Sequence, residues 1–273
     1  MEHIQECFAR LREQGRPACM PYFTLGFPTP GDSLAVIRAI AAAGADLIEL
    51  GVPFSDPLAD GPTIQRSTQQ ALAQGMRVAA CLEMARKLRA GGVTQPLLLM
   101  GYLNPLLSYG IPRFVAEAAQ AGVDGLIVPD LPPEDAAELE AACQAQGCAL
   151  VYLLAPNSTP ERIRLAAARS TGFIYLVSVT GVTGARQALP AGLVDFIQRV
   201  RAASDKPLAV GFGISTPEQA AQVGALADGV IVGSALIEAV EGSPAPAQAA
   251  AAYVGQMREA LGQRRGWMPQ AAG

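Results

Sequence analysis

The sequence predicts a (β/α)8 TIM barrel, folded as a single domain with an extra helix at its N-terminus. Three observations predict it. Eight short apolar segments alternate with helical ones, an order that builds parallel strands joined by crossover helices. The chain has 273 residues, close to the roughly 250 of a closed barrel. A weak internal repeat also recurs. Ala43-Gly44-Ala45-Asp46-Leu47-Ile48, Ala121-Gly122-Val123-Asp124-Gly125-Leu126-Ile127 and Leu226-Ala227-Asp228-Gly229-Val230-Ile231 each run from a helix end through an aspartate into a strand. The competing arrangement is an open doubly wound sheet. It requires a glycine-rich turn after the first strand, which Gly26-Phe27-Pro28 does not resemble.

The elements follow in order. Residues 3–14 form a short amphipathic helix with Ile4, Phe8 and Leu11 on one stripe. A strand over 18–24 leads to a Gly- and Pro-rich loop, after which Asp32 or Ser33 caps a helix running to about 43. Residues 47–52 are the second strand, followed by a long loop and helices over 63–73 and 78–90. A third strand over 96–100 ends at Gly101-Tyr102-Leu103-Asn104-Pro105, and a helix near 113–121 leads to a strand over 125–128. Residues 133–146 make a helix with Pro133 in its first turn, where the missing N–H is harmless. Strands over 148–154, 173–178, 208–210 and 229–232 alternate with helices over 160–169, 192–202 and 217–223. Residues 241–246 are a linker, 247–261 a last outer helix, and 263–273 a frayed tail after a barrel over 1–262.

Composition narrows the function. The net charge is -4, from 20 basic and 24 acidic residues, which argues against nucleic acid as a main partner. Cys7, Cys19, Cys81, Cys143 and Cys148 are scattered and form no C-x-x-C, as expected of reduced thiols in a cytoplasmic protein. The N-terminus lacks an apolar signal core, and no apolar run approaches the ~20 residues of a membrane span.

The stretch with most chemistry is Leu47-Ile48-Glu49-Leu50-Gly51-Val52, followed by a loop bearing Pro53, Asp56, Pro57, Asp60, Gly61 and Pro62. Glu49 interrupts a buried apolar run, a costly place for a carboxylate unless it is paired or protonated. One carboxyl on a rigid strand and another on the following loop can flank a small substrate as acid and base. Barrel enzymes carry their catalytic groups at the C-terminal strand ends. Those ends here hold Tyr22, Glu49, Tyr102 with Asn104, Asp130, Asn157, Tyr175 with Thr183, and the glycines of the last three loops. Gly181, Gly184, Gly211, Gly213 and Gly233, with the Ser234 hydroxyl, suit a phosphate. The only histidine is His3 and the only lysines are Lys87 and Lys206, none at the top face. No histidine metal site or Schiff-base lysine is therefore expected there, and carboxylates and phenols remain.

Glu49-Leu50-Gly51-Val52-Pro53-Phe54-Ser55-Asp56-Pro57-Leu58-Ala59-Asp60-Gly61-Pro62 closely resembles the signature of the tryptophan synthase alpha subunits. Tyr102-Leu103-Asn104-Pro105, Gly181-Val182-Thr183-Gly184 and Gly211-Phe212-Gly213-Ile214 fall where that family has matching motifs, so the resemblance spans about 4–240. It implies a lyase of tryptophan biosynthesis that splits indole-3-glycerol phosphate into indole and glyceraldehyde 3-phosphate. By resemblance, Glu49 is the acid–base carboxylate and Asp60 the carboxylate that holds the indole N–H. Tyr175, Tyr22, Met100, Tyr102 and Thr183 line the site or assist, Thr183 from a closing loop. Gly184, Phe212, Gly213, Gly233 and Ser234 hold the phosphate.

The resemblance also implies a partner, the beta subunit, in an alpha2-beta2 heterotetramer. The implied docking surface is 53–62, 104–109 and 129–132, exposed segments presenting Leu58, Leu106, Leu107, Tyr109 and Leu131. Pyridoxal phosphate is expected only in that partner, and no cofactor or metal in this chain. Three alternatives stand beside this reading: a stand-alone indole-3-glycerol phosphate lyase, another phosphosugar barrel such as an isomerase, and a non-catalytic phosphate-ligand-binding barrel.

Overall fold

The computed structural model of the chain describes residues 1–177, 192–211 and 213–262. Its strands are β1 (Ala18–Thr24), β2 (Ile48–Gly51), β3 (Leu97–Met100), β4 (Gly125–Ile127), β5 (Ala149–Val151), β6 (Leu153–Leu154), β7 (Ile174–Val177), β8 (Leu208–Gly211) and β9 (Gly229–Val232). All pair in parallel, in the order β5-β4-β3-β2-β1-β9-β8-β7-β6. The two ends of that order are halves of one strand, separated only by Tyr152. β5 pairs with β4, whereas the Tyr152 carbonyl accepts the Tyr175 N–H of β7 at 3.1 Å. The strand changes neighbour at Tyr152, and the sheet closes into the expected barrel.

The described helices are α1 (Glu2–Gln14), α2 (Pro30–Ala42), α3 (Pro62–Ala73), α4 (Val78–Ala90), α5 (Leu103–Tyr109), α6 (Ile111–Gln120), α7 (Ala137–Gln146), α8 (Pro160–Arg169), α9 (Leu193–Arg201), α10 (Pro217–Gly224), α11 (Ser234–Val240) and α12 (Pro246–Gly262). α1 is the extra helix. Its buried stripe of Ile4, Cys7, Phe8 and Leu11 closes the N-terminal mouth of the barrel. Phe8 meets Phe173, just before β7, with ring centroids 5.7 Å apart. Ile4 lies where a Cβ on Gly125 of β4 would come within 3.3 Å of it.

Three local expectations are corrected. The cap of α2 is Thr29, not Asp32 or Ser33: its hydroxyl oxygen accepts the Asp32 N–H at 3.1 Å, and Pro30 can open the helix because its first N–H positions need no partner. Ser33 is buried instead and accepts the Gly26 N–H at 3.0 Å. The expected helix over 133–146 begins as a 3-10 turn, Pro133–Asp135, and only then becomes α7. Residues 104–109 belong to a helix, α5, rather than to an exposed loop. The Asp130 carboxylate accepts the Leu103 N–H at 3.0 Å and so caps it, and Pro105 falls in the first turn. Helical periodicity then turns Leu106 into the core, and Leu131 is buried too.

The internal repeat has a physical cause at the N-terminal ends of the strands. Asp46, Asp124 and Asp228 each bond twice to one residue of a neighbouring strand. Their N–H groups donate to the carbonyls of Cys19, Leu97 and Leu208. Their carboxylates accept the N–H groups of the same three residues, at 2.9, 2.8 and 2.8 Å. Each carboxylate also holds an arginine from the segment that enters the neighbouring strand. Arg16 grips Asp46 with two bonds of 2.7 and 2.8 Å, Arg89 donates to Asp124 at 2.6 Å, and Arg201 donates to Asp228. Arg89 also reaches the carbonyls of Gly122, Val93 and Gln95, tying α4 to the floor of the barrel.

Breaking one of these largely buried pairs strands a charge and is worth about 3 kcal/mol. Asp124→Ala is therefore expected to lower unfolding free energy by that amount in denaturant titration. Turnover per folded molecule should be unchanged, because Asp124 lies at the end of the barrel away from the carboxylate loop.

Candidate active site

Parallel register sets the inner wall. Tyr22 of β1 lies opposite Glu49 of β2, and Glu49 opposite Leu98 of β3. Side chains alternate along a strand, so Ile48 and Leu50 face the helices while Glu49 and Gly51 face inward. Met100, in register with Gly51, and Ile127, in register with Met100, share that inner face at the C-terminal end. Ile127 has no counterpart among the sequence-derived candidates. Its place follows from the register of β3 with β4, which no local pattern in the sequence gives.

Glu49 is fully buried, and neither carboxyl oxygen has a hydrogen-bond partner among the described residues. Desolvation alone pushes its pKa up to about 8. Two phenols lean across the interior beside it, each enabled by a glycine on the next strand. A Cβ on Gly51 would stand 2.1 Å from the Tyr22 hydroxyl, and one on Gly211 would stand 2.4 Å from the Tyr175 hydroxyl. Burial raises both phenols far above the usual tyrosine range. Tyr175 also senses the charges of Glu49, Tyr22 and Asp60. Glu49, Tyr22, Tyr175 and Asp60 thus converge on one space, although they come from β1, β2, β7 and the loop after β2.

Asp60 is half-buried on that loop. Burial pushes its carboxyl up to about 6, and an interaction with the Tyr102 hydroxyl holds it back from rising further. Tyr102 follows β3, is buried, and stacks at a tilt on Phe54 with centroids 5.4 Å apart. Its hydroxyl oxygen accepts the Ala59 N–H at 3.0 Å.

Of the expected phosphate residues, Gly233 caps α11 and lies next to the Tyr22 ring, which a Cβ there would approach to 3.3 Å. Ser234 opens α11, and Gly213 has φ +77, a conformation that favours glycine. Thr183, Gly184 and Phe212 lie outside the described residues, as does the tail from 263.

The lysines are where the sequence puts them. Lys206 donates to the carbonyls of Ala167 and Ser170 at the end of α8, on the floor side of the barrel, and Lys87 sits on α4 near Glu83. Neither amine is available to a group bound among the carboxyls. All five cysteines are free and buried. Among the described residues no cluster of His, Cys, Asp or Glu is arranged to hold a metal ion, and no helix is long and apolar enough to cross a membrane.

A family model described as tryptophan synthase alpha chain matches residues 8–263. The chain belongs to this family. It is 56% identical over 241 residues to a tryptophan synthase alpha chain of Chloroflexus aggregans, covering 88% of this chain and 90% of that one. It is 51% identical over 263 residues to one of Chloroflexus aurantiacus, covering 96% and 99%. Among solved structures it is similar to a Mycobacterium tuberculosis tryptophan synthase chain, with TM-score 0.88, 39% identity, and 94% and 97% covered. It is equally similar to the alpha subunit from Legionella pneumophila, with TM-score 0.88, 38% identity, and 95% and 98% covered. The chain is thus a lyase of tryptophan biosynthesis with the alpha-subunit function, on the barrel that the sequence predicts.

Glu49 makes stability depend on pH. Its folded value of about 8 lies above the ordinary 4.5, so between those values the folded chain keeps a proton that the unfolded chain releases. Stability is lost as pH rises through that window, at about 1.4 kcal/mol per pH unit from this group. Glu49→Gln removes the titration. The variant is expected to gain stability relative to the natural chain as pH goes from 5 to 8. Denaturant unfolding of both at pH 5, 6.5 and 8 checks this, and parallel curves would show that Glu49 ionises freely in the folded state.

Proposed function

We propose that the chain cleaves indole-3-glycerol phosphate to indole and glyceraldehyde 3-phosphate, with Glu49 as the acid–base group and Asp60 as the stabilising carboxylate. The observation that carries this reading is one pair of carboxyls pushed to different pKa values, about 8 and about 6, facing one apolar space. Near pH 7 the first holds its proton and the second has mostly lost it, the division of labour that acid–base catalysis needs. Glu49 gives its proton to indole C3. The positive charge that develops at the ring nitrogen is met by Asp60, which accepts the N–H. Glu49, now ionised, takes the proton of the side-chain hydroxyl. The O–H electrons form the aldehyde C=O, the carbon–carbon bond breaks, and its electrons restore the indole ring. Glu49 ends protonated as it began.

Tyr22, Met100 and Tyr175 would line the indole pocket, with Tyr102 beside Asp60. Gly213, Gly233 and Ser234, with Gly184, Phe212 and the Thr183 loop, would hold the phosphate and close the site. This chemistry needs no cofactor in the chain, and pyridoxal phosphate would belong to the partner. The partner is the beta chain, docking through 53–62, 104–109 and 129–132 in an alpha2-beta2 assembly. Leu58 is 94% exposed and Leu107 53% exposed, two large apolar side chains left in solvent on the first two segments, which favours a docking subunit over a stand-alone lyase. Cytoplasmic location suits its five free thiols.

Indole release by the purified chain tests the reading. The kcat/KM profile is expected to be bell-shaped, with limbs near pH 6 and pH 8, and Glu49→Gln to lose roughly a thousandfold or more in rate while staying folded. A folded natural chain that releases no indole, with or without a beta chain, would overturn it. Leu58→Asp is expected to weaken beta-chain binding by about tenfold or more in calorimetry, the scale of one lost apolar contact. Cleavage without the partner should be little changed.

A further inference from the structure

Asp60 lies on a loop with little regular structure, yet its role requires a fixed carboxylate. We propose that Tyr102 is a positioning residue for Asp60: its phenol oxygen takes the Ala59 N–H and fixes the loop, its proton faces the Asp60 carboxylate, and Asp130 anchors Tyr102 from the next loop. This rests on the acid–base reading above and adds how the second carboxylate is held in place and kept ionised.

Three contacts support it. The Ala59 N–H bond of 3.0 Å joins the loop after β2 to the residue following β3. The bond uses the phenol as acceptor and leaves its proton free for Asp60, the one side-chain hydrogen-bonding interaction among the described residues that acts on that carboxyl. The ring is clamped on the same loop by Phe54. Behind it, both oxygens of Asp130 accept the Leu103 N–H, at 3.0 and 3.3 Å, and set the start of α5 immediately after Tyr102.

The titratable groups around Asp60 come from several elements. Tyr22 on β1, Tyr175 on β7 and Tyr102 after β3 all sense its charge. Glu49 on β2 acts on both Tyr22 and Tyr175, and Asp130 acts on Tyr102. Among the described residues, only Tyr102 stabilises the ionised form of Asp60. Loss of the phenol would therefore move Asp60 upward, with Glu49 unaffected.

Tyr102→Phe keeps the ring and its stacking and removes only the hydroxyl. Two readouts are made on the natural chain and the variant: the carboxyl-carbon NMR titration of Asp60, and the pH profile of kcat/KM. The Asp60 midpoint is expected to rise by roughly one unit in the variant. The acid limb of the profile should move with it, costing about fivefold at pH 6, while the basic limb stays. Asp130→Ala should move the acid limb the same way relative to Asp130→Asn, which keeps an acceptor for the Leu103 N–H and is equally uncharged. An unmoved Asp60 midpoint with only KM altered would make Tyr102 a lining residue and overturn the proposal. An unmoved midpoint with both kinetic constants unchanged would overturn it equally. A shifted midpoint in a chain that cleaves nothing would uphold the positioning role and overturn the catalytic reading instead.

Discussion

A carboxyl group with no hydrogen-bond partner among the described residues, sealed inside a barrel, is the constraint around which the upper half of this protein is arranged. Burial disfavours the anion there, raising the Glu49 carboxyl to about 8, so near pH 7 it rests mostly protonated. Everything near it follows from that state. The phenols of Tyr22 and Tyr175 share the space because they too are neutral when buried. Gly51 and Gly211 exist as gaps into which those phenols extend. The surroundings are apolar on the remaining sides, with Leu98, Met100 and Ile127 on the same inner face. In the reading proposed above, a flat aromatic ring would occupy this space and accept the Glu49 proton.

The two ends of the barrel treat the same functional group in opposite ways. At the N-terminal ends Asp46, Asp124 and Asp228 are saturated: each carboxylate receives a backbone N–H and an arginine. These groups are held by backbone and arginine donors and bear on folding. At the C-terminal ends, among the described residues, Glu49 has no partner and Asp60 has only the Tyr102 phenol. These groups are left able to exchange protons. A barrel separates the two uses because its strands all run one way, so every strand start lies on the floor and every strand end at the rim.

Much of this was legible in the sequence because it rests on short-range rules. The alternation of apolar strands with helices, the break after Val52 at Pro53, and the aspartate of the internal repeat all act within a few residues. The carboxylate in an apolar run was visible for the same reason, and its displaced pKa followed from burial alone. Most of what escaped depends on residues far apart in the chain. Asp130 capping α5 turned an apparent loop into a helix and hid Leu106. One miss was local: Thr29 displaced the expected caps, a few residues on, because Pro30 could occupy the first turn. The bond from Ala59 to Tyr102 joins two loops that no local pattern relates, and Ile127 enters the site only through a register that the sequence does not write down.

The seal at the barrel floor has a consequence for how the chain comes together. The apolar stripe of α1 finds its cover in Gly125 of β4 and in Phe173 beside β7, more than a hundred residues further along. While the chain is being made, Ile4 and Phe8 have emerged long before their cover exists. The earliest helix is then among the last to dock, and until it does, its greasy side is the adhesive face of a half-built protein. A polypeptide cut short before Phe173 would carry that face permanently bare.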